Sequence, residues 1–168
     1  GLERAEILLL LVPRHPQRFD EVAALVEARG LSCARRSAGG VPDATTRVWL
    51  GDSMGEMAAY FTVADVALIG GSLQPLGGQN LIEAAACTCP VLVGPHSFNF
   101  AQATEDSIAC GAALRIADAD GAAAARAAAR AGGFSGGQCG RVAAAAWRLV
   151  GGNLKPARWR HPVCNPHG

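Results

Sequence analysis

The sequence predicts an α/β protein: a parallel β-sheet with helices on both faces, in a Rossmann-like three-layer arrangement. Short apolar runs alternate along the chain with segments whose apolar residues recur at helical spacing. The runs are apolar throughout rather than alternately apolar and polar, which is typical of strands buried on both faces of a parallel sheet. A chain of 168 residues is also long enough to bury a core.

The first helix shows how the elements are assigned. Phe19, Ala23 and Val26 lie on one helical face, and Gly30 follows as a stop signal. Strands are predicted in the same way at 6–12, 31–36, 47–50, 65–69, 90–93 and 113–116. Helices are predicted at 17–29, 53–62, 79–87, 100–109, 118–131 and 140–150. We therefore expect one domain over 1–150, followed by a poorly ordered, proline-containing tail over 151–168.

Charge is divided unevenly between the two ends of the chain. Residues 1–120 carry a net charge of −6, whereas residues 121–168 carry +7 and contain no Asp or Glu. The basic end is interpreted either as a solvated tail or as a segment attracted to an anionic surface such as phosphorylated lipid. Its aromatic residues do not follow a nucleic-acid-binding pattern. The six cysteines form no CxxC pair, so no zinc site and no other metal site is predicted.

The first candidate binding loop is Pro13-Arg14-His15-Pro16, directly after the first predicted strand. Ligands of parallel α/β sheets bind beyond the carboxyl ends of the strands, and each candidate loop of this chain follows a predicted strand, so we expect these loops on one edge. Arg14 can meet a phosphate through a bidentate charged contact. The alternative is a surface arginine in a rigid turn.

The second loop, GDSMGE at 51–56, opens a predicted helix. Ser53 and Glu56 have the spacing of a capping box, and the start of the helix offers free N–H groups to an anion. Gly55 is unfavourable in a first helical turn. Either a closely approaching ligand or tight packing would explain it.

The third loop is GGSLQPLGGQNLIE at 70–83. Asn80 and Glu83 again have capping-box spacing, but capping does not require Gly70, Gly71, Gly77 and Gly78. These glycines suggest that side-chain bulk is excluded around a ligand. The stretch matches neither the Rossmann dinucleotide fingerprint nor the Walker A loop. From the residues alone, an anion or nucleotide site and a capped turn both stay open.

These loops, together with GPHSFNF at 94–100, resemble those of one enzyme family. PRHPQRF, GDSMGEM, GGSLQPLGGQNLIEAAA and GPHSFNF occur in the same order and at similar spacing in bacterial 3-deoxy-D-manno-octulosonic acid (Kdo) transferases. The resemblance covers about residues 8–117. It implies the C-terminal, donor-binding half of a two-domain GT-B glycosyltransferase, with the N-terminal acceptor domain outside this chain.

The resemblance also implies an activity: transfer of Kdo from CMP-Kdo to the lipid A precursor (lipid IVA) in lipopolysaccharide biosynthesis, without a bound metal or cofactor. The expected location is the cytoplasmic face of the bacterial inner membrane, with membrane attachment through the absent N-terminal part. The catalytic base is expected in that part as well. We therefore expect the isolated chain to bind nucleotide weakly and to transfer nothing.

The resemblance implies donor-binding roles for several residues. Arg14 and the helix starts after Ser53 and Gly78 are expected to face the CMP phosphate, and Asn80 and Glu83 the donor's hydroxyl groups. The full expected donor-binding set is Pro13, Arg14, His15, Ser53, Met54, Gly55, Glu56, Gly71, Ser72, Gly77, Gly78, Asn80 and Glu83.

The chain departs from the family pattern at Gln79, where the family has His, and at Ala84, where it has Pro. Losing the histidine is expected to weaken a donor contact. Two alternatives to the leading interpretation stay open. One is a GT-B transferase for another nucleotide sugar, such as a UDP-sugar; the other is a truncated nucleotide-binding domain without catalysis.

Overall fold

The structure is a computed structural model that describes residues 7–128, with side chains described to residue 125. The predicted helix at 140–150 and tail at 151–168 lie outside these residues. Contacts divide the chain into two compact units, one up to Ala64 and one from Asp65.

The first unit contains a parallel sheet with strand order β1-β3-β2 among the described residues. Leu11 and Arg35 both pair with Leu50 of the central strand, so the three strands end at the same level. Val48 and Leu50 of that strand are almost fully buried in the core. The elements of this unit are β1 (Leu9–Leu11), α1 (Phe19–Ala28), β2 (Cys33–Arg35), β3 (Val48–Leu50) and α2 (Met57–Val63).

The second unit contains another parallel sheet, with order β4-β5-β6 in the described part of the chain. Its central strand is buried on both faces, as the uninterrupted apolar run Val91–Val93 predicts. Behind it, Leu92 packs with Ile116 and Ala125. The elements are β4 (Ala67–Leu68), α3 (Ile82–Ala86), β5 (Val91–Val93), α4 (Ala101–Ala109), β6 (Ala113–Arg115) and α5 (Ala119–Ala128).

The predicted fold class, α/β with parallel strands, is confirmed. The observed elements are shorter than predicted, and the largest differences are at helix starts. The helix predicted from residue 53 begins at Met57, and the helix predicted from residue 79 begins at Ile82. Asp52, Ser53 and Asn80 use their polar side chains to hold the loops before these helices, so the first turns of both predicted helices are loop instead.

Candidate functional site

The loop after β1 presents an unpaired cation. Arg14 is exposed and forms no hydrogen bond or ion pair with any described residue. Its neighbour His15 is also exposed, and the His15 carbonyl accepts a hydrogen bond from the Arg18 N–H at 3.0 Å. A short 3-10 turn, Pro16–Arg18, follows and connects the loop to α1. Pro13 and Pro16 restrict the backbone on either side of Arg14. Arg14 therefore lies in a stiff loop at the carboxyl end of its sheet, and its charge is available to a ligand.

The loop after β3 begins with a buried carboxylate. The Asp52 side chain is fully buried and accepts hydrogen bonds from Arg35 Nε at 2.6 Å, the Ser37 N–H at 2.8 Å and Ser37 Oγ at 2.5 Å. Arg35 also pairs with Asp20 at 2.8 Å. Burial by itself raises the pKa of Asp52, but the hydrogen bonds from Ser37 and Arg35 outweigh burial and lower the pKa to about 2. Asp52 therefore ties the ends of β2 and β3 together as an anion.

Ser53 and Glu56 contact each other, but not as a capping box. The capping-box prediction is wrong because α2 begins only at Met57, with Glu56 before its first turn and no side-chain cap. Instead the Ser53 hydroxyl donates directly to Glu56 Oε2. Glu56 also accepts from Arg36 Nη2 at 2.8 Å. Hydrogen bonds from Ser53 first, and from Arg36 next, lower the pKa of Glu56 below its ordinary value.

Met54 and Gly55 form the exposed tip of this loop. The Met54 side chain is 68% exposed. Gly55 has a φ of +79° and precedes the helix, so its presence does not weaken a helical turn. A Cβ at Gly55 would meet no described atom within 4 Å, which rules out close packing within the described residues as the reason for the glycine. The left-handed backbone requires glycine, and the space above it is open.

The glycines of the loop after β4 are explained largely by the chain itself. Gly71, Gly77 and Gly78 all have φ between +73° and +86°. A Cβ at Gly77 would lie 2.6 Å from both Asn99 Cγ and Phe98 Cε2, which belong to the loop after β5. At Gly77, therefore, the side-chain bulk that the glycine excludes belongs to a neighbouring loop and not to a ligand. Gly70, in contrast, has only Gln79 Cγ nearby, at 3.9 Å.

Ser72 holds the same two loops together from inside. It is completely buried, and its hydroxyl donates to the Ile69 carbonyl at 2.6 Å and accepts from the Gly94 N–H at 2.8 Å. A Cβ on Gly94 would overlap the Ser72 carbonyl group. The Ser72 carbonyl also accepts from the His96 N–H at 2.9 Å. In this structure Ser72 supports the loop backbone, and its hydroxyl faces no solvent.

Asn80 and Glu83 lie at the start of α3 and do not form the predicted capping box. Asn80 Oδ1 accepts from the Ile82 N–H at 2.9 Å, one position earlier than a cap, because the helix starts at Ile82. Glu83 is exposed and makes no side-chain hydrogen bond with a described residue. The Glu83 carboxylate and the Asn80 amide N–H₂ group are therefore both available to a ligand.

Sequence reasoning missed the side chains that hold these loops. Asp52, Arg35 and Ser37 were not candidates, although an aspartate two residues after a buried strand is a usable signal. Tyr60 was missed because it lies inside a helix, where an aromatic residue is ordinarily assigned to the core. Arg115 was also missed; its guanidinium donates to the Gly94 carbonyl at 3.0 Å and to Glu105 at 2.5 Å.

The described residues offer neither a metal centre nor a membrane span. No group of three or more His, Cys, Asp or Glu side chains within 7–125 is arranged to hold a metal ion. In the same part of the chain, no helix is long and apolar enough to cross a membrane.

Comparison with known proteins gives a consistent set of relatives, although no protein-family model matches the chain. The chain is 62% identical over 113 residues to the 3-deoxy-D-manno-octulosonic acid transferase of Bordetella pertussis, covering 67% of this chain and 26% of that protein. It is 48% identical over 94 residues to the transferase of the same name from Haemophilus influenzae, covering 56% and 22%. The chain therefore spans about a quarter of the length of these curated relatives.

A solved structure identifies the corresponding part of such an enzyme. The crystal structure of the C-terminal CMP-Kdo binding domain of WaaA from Acinetobacter baumannii has a TM-score of 0.72 to this chain at 35% sequence identity. The match covers 84% of this chain and 72% of that one. Both the identity and the coverage are high enough to assign a family, and the resemblance seen in the four loop motifs is confirmed. The chain belongs to the 3-deoxy-D-manno-octulosonic acid transferases, a family of glycosyltransferases, and corresponds to their C-terminal domain.

Proposed function

We propose that this chain binds CMP-Kdo as the donor-binding part of a Kdo transferase. In the complete enzyme, Kdo would pass from CMP-Kdo to the lipid A precursor, lipid IVA, in lipopolysaccharide biosynthesis. The observation that carries the proposal is the similarity to a domain described as CMP-Kdo binding, at 35% identity over most of the chain. The unpaired Arg14 at a strand's carboxyl end adds a charge suited to the donor's phosphate.

In the first unit, we assign the phosphate contact to Arg14. As the bond from CMP to the sugar breaks, the phosphate gains negative charge, and a fixed guanidinium aimed at it lowers the barrier. Pro13 and His15 would set the direction of Arg14. Ser53, Met54, Gly55 and Glu56 would line the nucleotide; the open space above Gly55 and the exposed Met54 support this.

In the second unit, we assign Asn80 and Glu83 to donor hydroxyl groups. The free Glu83 carboxylate can accept two hydrogen bonds from vicinal hydroxyls, and the Asn80 amide can donate one. The loop backbone would contact the donor, and its left-handed conformation is possible because of the glycines Gly71, Gly77 and Gly78. Ser72 would contribute indirectly, because its hydroxyl holds that backbone in place. The helix starts are weaker candidates for phosphate contacts than the sequence suggests, since the Ile82 N–H already bonds Asn80.

We place the catalytic base, the acceptor site and the membrane attachment in the three quarters of the family's length that this chain does not match. In this proposal the complete enzyme works at the cytoplasmic face of the inner membrane. The basic segment 121–168 adds a second membrane contact in this proposal, since seven cations without acidic residues attract anionic lipid. The 168-residue chain by itself is then expected to bind CMP without transferring sugar.

The proposal is tested by titrating the chain with CMP and with UMP in a calorimeter. We expect CMP to bind and UMP to bind at least about tenfold more weakly, because a pocket that pairs with the cytosine amine leaves a polar group unmatched against uracil. We expect Arg14→Ala to weaken CMP binding by about tenfold or more, since a charge-assisted hydrogen bond is lost.

Arg29→Ala is the matched control. Arg29 is an exposed arginine of the same unit, but it follows the carboxyl end of α1 and so lies toward the opposite edge of the sheet. Its loss should leave CMP affinity unchanged. Equal binding of CMP and UMP would favour a transferase for another nucleotide sugar. A folded chain that binds neither nucleotide would favour the non-catalytic alternative.

A further inference from the structure

Tyr60 is a buried aromatic residue whose hydroxyl group reaches a candidate donor-binding loop. Its side chain is packed edge-on against Trp49 of β3, with ring centroids 5.9 Å apart and an interplanar angle of 84°. A Cβ at Gly51 would lie 3.0 Å from Tyr60 Cε2 and Cζ, so the loop backbone lies directly on the ring. With 4% of its surface exposed, the ring has no freedom to move away. The position of the hydroxyl is therefore set by the core.

The Tyr60 hydroxyl lies 2.7 Å from Ser53 Oγ and 3.3 Å from Glu56 Oε2. The proton direction follows from counting donors. Glu56 is ionised and only accepts, and the single Ser53 proton is donated to it. The single Tyr60 proton also stays within this group, because the hydroxyl donates to Glu56 Oε2 and lies close enough to Ser53 Oγ to share the proton with it. Both protons are therefore held among the three side chains, and the Glu56 carboxylate is the final acceptor, so each bond polarises the others.

We infer that Tyr60 is a positioning residue for donor binding, which acts by fixing Ser53 and the Glu56 carboxylate in one arrangement. This inference rests on the proposed function, because it takes Ser53 and Glu56 to contact the donor. In that arrangement both protons are used internally, so Ser53 and Glu56 offer only acceptor oxygens to a ligand. The group they recognise on the nucleotide is therefore an O–H or N–H donor and not a phosphate oxygen.

The alternative is that Tyr60 only stabilises the core. Its ring contacts with Trp49 and Gly51 serve that purpose, but they do not require a hydroxyl. Tyr60→Phe separates the two roles, because it keeps the ring and removes only the oxygen. Arg36 is the charged group that contacts Glu56 among the described residues, and it is unchanged in this variant.

The experiment measures CMP affinity by calorimetry and the Glu56 carboxyl pKa by NMR titration, in wild type and in Tyr60→Phe. We expect about tenfold weaker CMP binding and a higher Glu56 pKa in the variant, because a hydrogen bond to the anion is lost. The matched control is Thr62→Val, which removes an exposed hydroxyl from the same helix. It should change neither quantity.

A double-mutant cycle tests whether Tyr60 acts through Ser53. Ser53→Ala should weaken CMP binding by a similar factor, and adding Tyr60→Phe to it should cost little more. Ser53 is only half-buried, so this variant also serves if Tyr60→Phe does not fold. A folded Tyr60→Phe, or Ser53→Ala, with wild-type CMP affinity overturns the inference alone. A folded wild-type chain that does not bind CMP overturns the proposed function and the inference with it.

Discussion

The loop after β3 in the first unit and the loop after β4 in the second unit are held in different ways. In the first unit, the loop after β3 is fixed by ionised side chains: Asp52 with Arg35 and Ser37, and Glu56 with Arg36. In the second unit, the loop after β4 is fixed by backbone groups and close packing. Buried Ser72 bonds the Gly94 backbone, and Gly77 lies against the loop after β5.

This difference shows that a loop between a parallel strand and the following helix can be held in two physical ways. A loop held by ion pairs depends on pH and on the geometry of long side chains, because its free energy comes from charge-assisted hydrogen bonds. A loop held by close backbone contact depends on volume, because there is no room for another carbon atom. The first unit should therefore respond to charge changes and the second to size changes.

The largest effect is expected from Gly94→Ala in the second unit. The new Cβ would overlap the Ser72 carbonyl group and lie 2.7 Å from the Leu73 nitrogen. Because these are backbone atoms, neither loop can move aside without breaking hydrogen bonds. We expect the free energy of unfolding to fall by about 3 kcal/mol, measured by urea denaturation.

Gly70→Ala is the matched control, from the same loop pair. Its Cβ would meet only Gln79 Cγ at 3.9 Å, an ordinary contact distance. The change should be within about 0.5 kcal/mol of wild type. If both glycine variants were equally stable, close backbone packing would not be what holds the second unit's loops.

An intermediate effect is expected from Asp52→Asn in the first unit. The carboxylate has a pKa of about 2 when folded, against an ordinary value of about 4 when unfolded, so the folded state binds the proton less well. The resulting stabilisation, about 2 kcal/mol, is fully present above pH 4 and is lost as the pH falls toward 2. Urea denaturation across pH 2–7 should show this loss in wild type and a flatter profile in Asp52→Asn.

Asp65→Asn controls for charge removal. Asp65 is exposed and makes no side-chain hydrogen bond with a described residue, so its substitution should leave the pH profile unchanged. A wild-type profile that Asp52→Asn does not flatten would mean that the Asp52 anion is not what ties β2 to β3.

The smallest effect is expected from Arg36→Ala. The ion pair between Arg36 and Glu56 is partly exposed, and such pairs contribute little because water and salt screen them. We expect a smaller loss of stability than in Asp52→Asn, and we expect the difference from wild type to shrink in 1 M salt. If Arg36→Ala lost more stability than Asp52→Asn, the Arg36–Glu56 pair, and not Asp52, would be the main electrostatic contact of the first unit.

Most elements were predictable because apolar periodicity is a local property. The uninterrupted run at 90–93 predicted a doubly buried strand, and β5 is the central, fully buried strand of its sheet. Helix starts were less predictable. Ser53 and Asn80 precede Glu56 and Glu83 at capping-box spacing, but these side chains bond within the loops. Spacing alone does not distinguish a cap from a loop contact, since both use the same donor and acceptor types.

Exposure of a candidate residue was predictable where it follows from the residue type and its immediate neighbours. Arg14, after a strand and between two prolines, is exposed, and no described residue forms a hydrogen bond or ion pair with it. The glycines at 70–78 were harder to interpret, because glycine marks the absence of a side chain and does not say what fills the space. At Gly77 it is Asn99 and Phe98, which lie more than 20 residues further along the chain.

By itself, the sequence determined the fold class, the order of the loops and the family, because apolar strand patterns and short motifs consist of consecutive residues. Only the tertiary structure decided which side chains hold those loops. Asp52 meets Arg35, Ser72 meets Gly94, and the Tyr60 hydroxyl meets Ser53, and two of these pairs join strands or loops that are distant in sequence. The two distant contacts depend on parallel strands that bring their carboxyl ends to one level, and no local sequence pattern shows this.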